Sequence, residues 1–246
     1  MIAALKYEWR RLWSIRATFV VSAGYLGLVG LIAGLPIFLG QPGYAISWKA
    51  LYGTPANILC AVVISVVAAQ TFGHEYRYGL IRLTLSEFPN RSTVILAKSI
   101  ILTVYVLGMT LLAWSVLGLI GAFAPDGAVT TGGMNISLNG AQVSALWVVP
   151  AFTIGYCIFT MSVTMITRNL PLGVTVPLLL AAFVEVLLSG LLTLISSHLS
   201  WITNNLPMTN AMAWIDGQGS HHGVVFGCWV LGMFAIGSAL FIKRDA

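Results

Sequence analysis

Long stretches without a charged side chain constrain the fold of this chain more than any other feature of its sequence. Asp, Glu, Lys and Arg are all missing from residues 17–48, 50–73, 99–125, 127–167, 169–184, 186–215 and 217–242. Only 8% of the 246 residues are charged, whereas soluble domains carry roughly 25%. Because a bilayer core requires about 20 mostly apolar helical residues, these stretches predict an all-α, polytopic membrane protein.

Turn-forming residues divide the apolar stretches into six predicted transmembrane spans. The spans cover about 18–39, 55–72, 100–123, 145–166, 172–196 and 224–242. Pro177 is expected to kink the fifth span, and Trp201 and Trp214 indicate that residues 197–223 re-enter the interface as short helices. Since the spans take up most of the length, a single transmembrane domain, 1–246, is predicted.

Residues 1–16 are predicted to form an amphipathic helix that lies in the membrane interface. Its apolar residues recur at three- and four-residue steps: Ile2, Leu5, Trp9, Leu12 and Trp13. Lys6, Arg10 and Arg11 occupy another face, which we expect to point toward anionic lipid headgroups. The alternative is a basic flank of the first span with no separate role.

The distribution of Lys and Arg predicts the orientation of the spans. With the N-terminus in the cytoplasm, only Lys49 of the twelve basic residues lies outside. The predicted cytoplasmic ones are Lys6, Arg10, Arg11, Arg16, Arg77, Arg82, Arg91, Lys98, Arg168, Lys243 and Arg244. Such a bias is the positive-inside pattern, so both termini are expected in the cytoplasm.

The most charged segment, 74–98, separates the second and third spans. Its apolar residues at helical steps are Tyr78, Ile81, Leu85 and Phe88, and its other faces carry Arg77, Arg82 and Glu87. Pro89 ends this pattern. A plain connection between two helices needs only a few residues, so the segment predicts a short amphipathic helix along the cytoplasmic surface.

The same segment resembles the permeases of type 2 ABC exporters. The shared pattern is an acidic residue, a glycine four positions later, an apolar run, Pro-x-Arg and a lysine heading the next span. These positions are Glu75, Gly79, 83–85, Pro89, Arg91 and Lys98. The Gly-Thr pair that is commoner in the family is Gly79-Leu80 here. The resemblance covers residues 74–98 in motif, and the N-terminal helix, the six spans and the cytoplasmic ends in architecture.

This resemblance implies that the surface helix is a coupling helix docking on a separate ABC ATPase subunit. The residues implied in coupling are Glu75, Tyr78, Gly79, Arg82, Glu87 and Arg91. The chain would be an exporter permease of the inner (plasma) membrane, forming the substrate path with a second copy or a paralogue. The alternative is a surface helix that lies on lipid without a partner.

The lysines argue against nucleotide hydrolysis by the chain itself. A Walker loop needs a Gly-Lys-Ser/Thr sequence to hold phosphate, and no lysine here follows a glycine. We therefore expect no enzyme activity and no cofactor on this chain, and expect ATP and Mg on the partner ATPase.

Glu185 is the only predicted intramembrane acid. It would lie about 20 Å along the fifth span from the turn at 168–171, and intramembrane carboxylates usually face protein or water. It is either a path residue, contacting a cationic substrate or carrying a proton, or a structural carboxyl hydrogen-bonded near Ser189, Thr193 or the external region. A proton-coupled secondary transporter using Glu185 is therefore one alternative function.

An intramembrane enzyme is a further alternative, but the spans lack paired catalytic groups. His198, His221, His222 and Asp216 are predicted outside, and their spacing matches no metal-ligand pattern, so no metal site is expected. The apolar spans are compatible with a hydrophobic drug, lipid, peptide or antibiotic as the substrate.

Overall fold

The structure, a computed structural model, describes residues 1–39, 46–124, 129–130, 140–195 and 200–243. It is helical apart from a parallel pairing of Ile46–Ser47 with Val129–Thr130. The α-helices are α1 (Ile2–Ser14), α2 (Arg16–Phe38), α3 (Trp48–Gly53), α4 (Ile58–Arg77), α5 (Ile81–Glu87), α6 (Arg91–Ala122), α7 (Gly140–Thr167), α8 (Leu170–Leu179), α9 (Glu185–Ile195), α10 (Ser200–Thr203), α11 (Pro207–Ile215) and α12 (Ser220–Lys243).

Within the described residues, six helical segments are long and apolar enough to cross a membrane. They are Arg16–Phe38, Ile58–Arg77, Arg91–Ala122, Leu146–Thr167, Leu170–Leu192 and Ser220–Lys243. These segments confirm the six helices expected from the charge-free stretches, and the chain has the architecture of a multi-pass membrane protein.

The second and third segments begin and end at other residues than predicted. Pro55 lies in a 3₁₀ turn, Thr54–Ala56, and α4 begins after Asn57, whose side chain accepts a hydrogen bond from the Leu59 amide at 3.0 Å. The third segment begins at Arg91 instead of 100 and has 32 residues. A helix of that length spans about 48 Å, longer than the roughly 30 Å of a bilayer core, so its first turns extend beyond the apolar layer.

The fifth segment is not a continuous α-helix. A π-helical stretch, Leu180–Val184, separates α8 from α9 and begins three residues after Pro177. Because proline has no amide hydrogen, it removes one helical hydrogen bond, and the backbone around it must find other partners. The irregularity expected at Pro177 therefore takes the form of wider turns just after it.

Helices α4 and α7 form the centre of the bundle, where most of their side chains are buried. Two glycines permit the close packing of α8 against this centre. A Cβ atom on Gly73 would lie 2.7 Å from Leu170 Cδ1, and one on Gly173 would overlap the Thr164 side chain. By contrast, α2, the fifth segment and α12 keep broad apolar surfaces exposed at the periphery.

Helices α6 and α12 meet at one end of the bundle. There, Arg91 Nη1 at the start of α6 donates to the Phe241 and Ile242 carbonyls at the end of α12 at 3.1 and 3.0 Å. We call this the basic end; it also carries α1, α5 and the turn at Arg168. The predicted orientation places the basic end in the cytoplasm.

Candidate functional site

The candidate site is the short helix α5 at the basic end, between the second and third membrane-length helices. Helix α4 ends at Arg77, and a turn over residues 78–80 leads into α5. Gly79 has φ +68°, a left-handed conformation that favours glycine. Segment 74–98 thus contains the short helix α5, which begins later than the pattern indicated, because Tyr78 lies in the turn that precedes it.

The two faces of α5 differ in exposure. Ile81 and Thr84 are buried against the bundle. The opposite side exposes apolar side chains beside charged ones, and Tyr78, Leu80 and Leu83 are 60%, 45% and 66% exposed. The α5 outer surface consists of Tyr78, Leu80, Arg82, Leu83 and Glu87. Exposed apolar side chains rimmed by charges are typical of a surface that contacts another molecule.

Four charged side chains meet in the protein interior behind α5. They are Glu8 and Arg11 of α1, Glu75 of α4 and Lys98 of α6, and we call them the charge cluster. Lys98 Nζ donates to Glu8 Oε1 at 2.8 Å, to Glu75 Oε1 at 2.7 Å and to the Thr71 carbonyl at 3.1 Å. All three donors of the lysine ammonium are therefore satisfied.

Arg11 completes the cluster from α1. Its guanidinium pairs with Glu8 Oε2 at 3.0 Å, donates to Glu75 Oε1, and donates to the Thr71 carbonyl at 2.7 Å. Thr84 of α5 donates to Glu75 Oε1 at 3.3 Å. The cluster thus connects α1, α4, α5 and α6 through Glu75, whose other oxygen, Oε2, has no hydrogen-bond partner among the described residues.

The cluster is electrically neutral, which makes its burial possible. Glu8, Glu75 and Lys98 are all buried, and an isolated buried charge would be several kcal/mol more costly than a paired one. Burial lowers the pKa of Arg11, while the Glu8 carboxylate opposes this effect. Since an arginine begins from a very high pKa, Arg11 stays charged at neutral pH.

The cluster corrects one expectation about α1. Arg11 does not point toward lipid headgroups, because it lies inside the cluster; Lys6 and Arg10 are exposed. The buried face of α1 is formed by Ala4, Glu8 and Leu12. Trp9 and Trp13 are more than one-third exposed.

Sequence reasoning missed Glu8 and did not predict that Lys98 is buried in a cluster of ion pairs. One signal for the cluster was present, because Lys98 lies between Val94, Ile95, Ile101 and Leu102, on the apolar face by which α6 packs. A lysine on such a face requires a buried carboxylate partner.

The residues implied in coupling fall into three places. Tyr78, Arg82 and Glu87 lie on the α5 outer surface. Glu75 and Gly79 position α5, the first through the cluster and the second through the turn. Arg91 lies at the other end of α5, where its side chain binds the C-terminal carbonyls of α12. Glu75 therefore does not itself reach the outer surface.

The other candidate residue, Glu185, begins α9, and both of its carboxylate oxygens accept hydrogen bonds. Its Oε1 accepts from the Met208 amide at 2.8 Å, and its Oε2 accepts from the Thr209 amide at 2.8 Å and the Thr209 hydroxyl at 3.1 Å. These amides are the first free donors of α11, which otherwise has no side-chain cap. The contacts favour the structural interpretation of Glu185, near the predicted external region.

The described histidines near α11 form a pair rather than a metal site. The rings of His221 and His222 lie 3.8 Å apart, and His222 Nδ1 lies 2.7 Å from Asn210 Oδ1. Within the described ranges, no three His, Cys, Asp or Glu residues are close enough to hold a metal ion. His198 lies outside the described residues.

The sequence matches no protein-family model, and no curated protein matches it either. Function must therefore be argued from the geometry of the site and from the resemblance in segment 74–98, because a helical bundle alone supports many functions.

Proposed function

We propose that this chain is the permease subunit of an ATP-driven exporter of the type 2 ABC class. It acts with a separate ATPase subunit, which binds ATP and Mg, and it lies in the inner (plasma) membrane with both termini in the cytoplasm. The observation that carries the proposal is a short helix whose outer side exposes apolar and charged side chains, while on its inner side Thr84 donates to Glu75, the carboxylate shared by the charge cluster.

In this proposal the charge cluster transmits movement of α5 to the neighbouring helices. A partner that pushes on the α5 outer surface also moves Glu75 and, through it, the ends of α1, α4 and α6. Packed elements move as rigid bodies with discrete arrangements, so a short displacement at one end can tilt whole helices. In this way closure of an ATPase would be converted into movement of the spans.

A second permease, identical or paralogous, would complete the substrate path. The peripheral helices α2 and α12 leave apolar side chains exposed, among them Leu31, Leu35, Leu231 and Ile236. Such surfaces suit lipid or a second membrane-spanning chain.

The proposal is tested by co-purification from native membranes. The tagged chain is extracted in mild detergent, and ATP hydrolysis in the eluate is measured for the wild type and for Leu83→Asp. Leu83 is exposed, so the substitution leaves the fold intact, while a carboxylate in an apolar interface removes much of its affinity. We expect the wild type to retain an ATPase and Leu83→Asp to lose about tenfold or more of it.

Ile242→Asp is the matched control. Ile242 is an exposed apolar residue at the same end of the bundle, on α12 rather than α5. The Ile242→Asp variant should retain the ATPase at the wild-type level. The proposal would be contradicted if the wild-type eluate hydrolysed no ATP, or if both variants lost the same amount of ATPase activity.

The alternative of a proton-coupled transporter depends on Glu185. No observation favours it, because both carboxylate oxygens are engaged as the N-terminal cap of α11. The intramembrane enzyme alternative likewise has no supporting observation.

A further inference from the structure

A small cavity lies beside the charge cluster, where α1, α2, α4 and α6 meet. Its volume is about 10 Å³, which is close to the space that one water molecule needs in a protein interior. Its walls combine apolar side chains with six polar or charged ones: Glu8, Arg11, Thr18, Gln70, Thr71 and Lys98. The cavity therefore has the size and the polarity to hold one small hydrogen-bonding molecule.

Gln70 of α4 brings a hydrogen-bond acceptor to this cavity. The residue is only 6% exposed, and its side-chain Oε1 has no hydrogen-bond partner among the described residues. A buried amide oxygen without a partner is destabilising, because it gives up its hydrogen bonds to water and gains none in return. Buried polar side chains are almost always paired, either with protein or with ordered water.

Arg11 of α1 brings a hydrogen-bond donor to the same cavity. Its terminal nitrogens bind Glu75, Glu8 and the Thr71 carbonyl, but its Nε has no partner within the described part of the chain. The Nε–H group can only donate, and the amide oxygen of Gln70 can only accept. A water molecule between them can accept from the first and donate to the second.

The charges around the cavity favour a neutral occupant. A metal ion would lie beside the cationic groups of Arg11 and Lys98, and an anion would lie beside the Glu8 carboxylate. Like charges at such short range repel strongly in a protein interior. The charges of the cluster already balance, so an added ion would also be a buried charge without a partner. A water molecule adds no charge.

We infer that this cavity is a binding site for one water molecule, which connects Arg11 to Gln70. The water accepts a hydrogen bond from Arg11 Nε and donates one to Gln70 Oε1. Gln70 precedes Glu75 by five residues, or about 7 Å along α4. The side chain of Arg11 is thus held against α4 at two levels, directly by Glu75 and through water by Gln70. This site does not depend on the ATPase partner.

A high-resolution cryo-EM map of the purified full-length protein tests the inference directly. The wild type should show a density peak at hydrogen-bond distance, about 2.7–3.2 Å, from both Arg11 Nε and Gln70 Oε1. The peak should be absent from Gln70→Met. A wild-type cavity without density, in a map that resolves other internal waters, would overturn the site. A peak whose height follows the concentration of sodium or chloride would identify an ion and overturn the assignment to water.

Thermal unfolding is a second test, because a bound water and an unpaired amide predict different changes in Tm. Methionine is unbranched and similar in length to glutamine, but it lacks the amide. With the water bound, Gln70→Met removes a hydrogen bond and leaves Arg11 Nε unsatisfied, so it should lower the Tm by about 2–8 °C. Without the water, the same substitution removes a destabilising buried group and should raise the Tm.

Gln218→Met is the matched control for this measurement, since Gln218 is exposed. It should change the Tm by less than about 2 °C. A raised or unchanged Tm for Gln70→Met would overturn the water site, and so would an equal fall in both variants.

Discussion

Replacing Lys98 by methionine tests the charge cluster most sharply. Methionine is unbranched and of similar length, so Lys98→Met removes the charge and the hydrogen bonds with little change in packing. The variant leaves Glu8 and Glu75 facing the single cation Arg11. The cluster then carries a net negative charge in the protein interior.

The expected loss of stability follows from the burial of all three partners. Lys98→Met removes the three hydrogen bonds of 2.7, 2.8 and 3.1 Å that the lysine donates. Removing one member of a buried ion pair costs about 3–5 kcal/mol. For a protein of this size, each kcal/mol lowers the Tm by roughly 2–4 °C. We therefore expect Lys98→Met to lower the Tm by about 6–20 °C.

The assay is thermal unfolding in detergent micelles, followed by the fluorescence of the eight tryptophans. Adding Glu8→Gln to Lys98→Met restores neutrality and should recover about half of the lost Tm or more. Lys243→Met, at an exposed lysine, should change the Tm by less than about 2 °C. An unchanged Tm for Lys98→Met, or a double variant no more stable than it, would refute the role of the cluster.

Substitutions at Glu185, Arg91 and Gly173 test three other contacts. Glu185→Ala removes the cap of α11 and should destabilise the protein by about 1–2 kcal/mol, measured as a lower Tm. Glu185→Gln should leave transport in reconstituted vesicles unchanged, and a loss of transport would instead support a path residue. Arg91→Gln frees the last carbonyls of α12 and should speed amide hydrogen exchange in the last turn of that helix and not in its middle; equal exchange would contradict the capping contact. Gly173→Ala places a methyl group against Thr164 and should lower the Tm by an amount corresponding to about 1–3 kcal/mol. Gly227→Ala is the control, because no atom lies within 4 Å of the added carbon, and it should not lower the Tm.

The membrane-spanning helices could be predicted from sequence because their cause is local. A segment such as 99–125 has no charge to hydrate, and within a membrane its backbone can satisfy its hydrogen bonds only as a helix. Helix ends were less predictable, because they depend on caps such as Asn57 and Asn90, whose side chains accept hydrogen bonds from nearby amides.

The position of Lys98 on an apolar face indicated a buried carboxylate partner, but the identity of that partner could not be predicted, because the members of the charge cluster are distant in sequence. Glu8 and Lys98 meet across 90 positions of the chain, and such a contact leaves no periodic pattern. Arg11 and Lys98 also satisfy the positive-inside rule, so each had a sufficient explanation without a partner. The distant cap that Glu185 gives α11 was missed for the same reason, although a hydrogen-bonded carboxyl was one of its two interpretations.

Photo-crosslinking from α5 in living cells tests the central claim most directly. A photoreactive amino acid replaces Arg82 or Glu87, which are exposed on the α5 outer surface, and Gln218, exposed near α11, serves as the control position. The account predicts that both α5 positions form a covalent adduct with a nucleotide-hydrolysing polypeptide and that position 218 does not. Adducts with lipid alone at positions 82 and 87 would contradict it and would favour a surface helix without a protein partner.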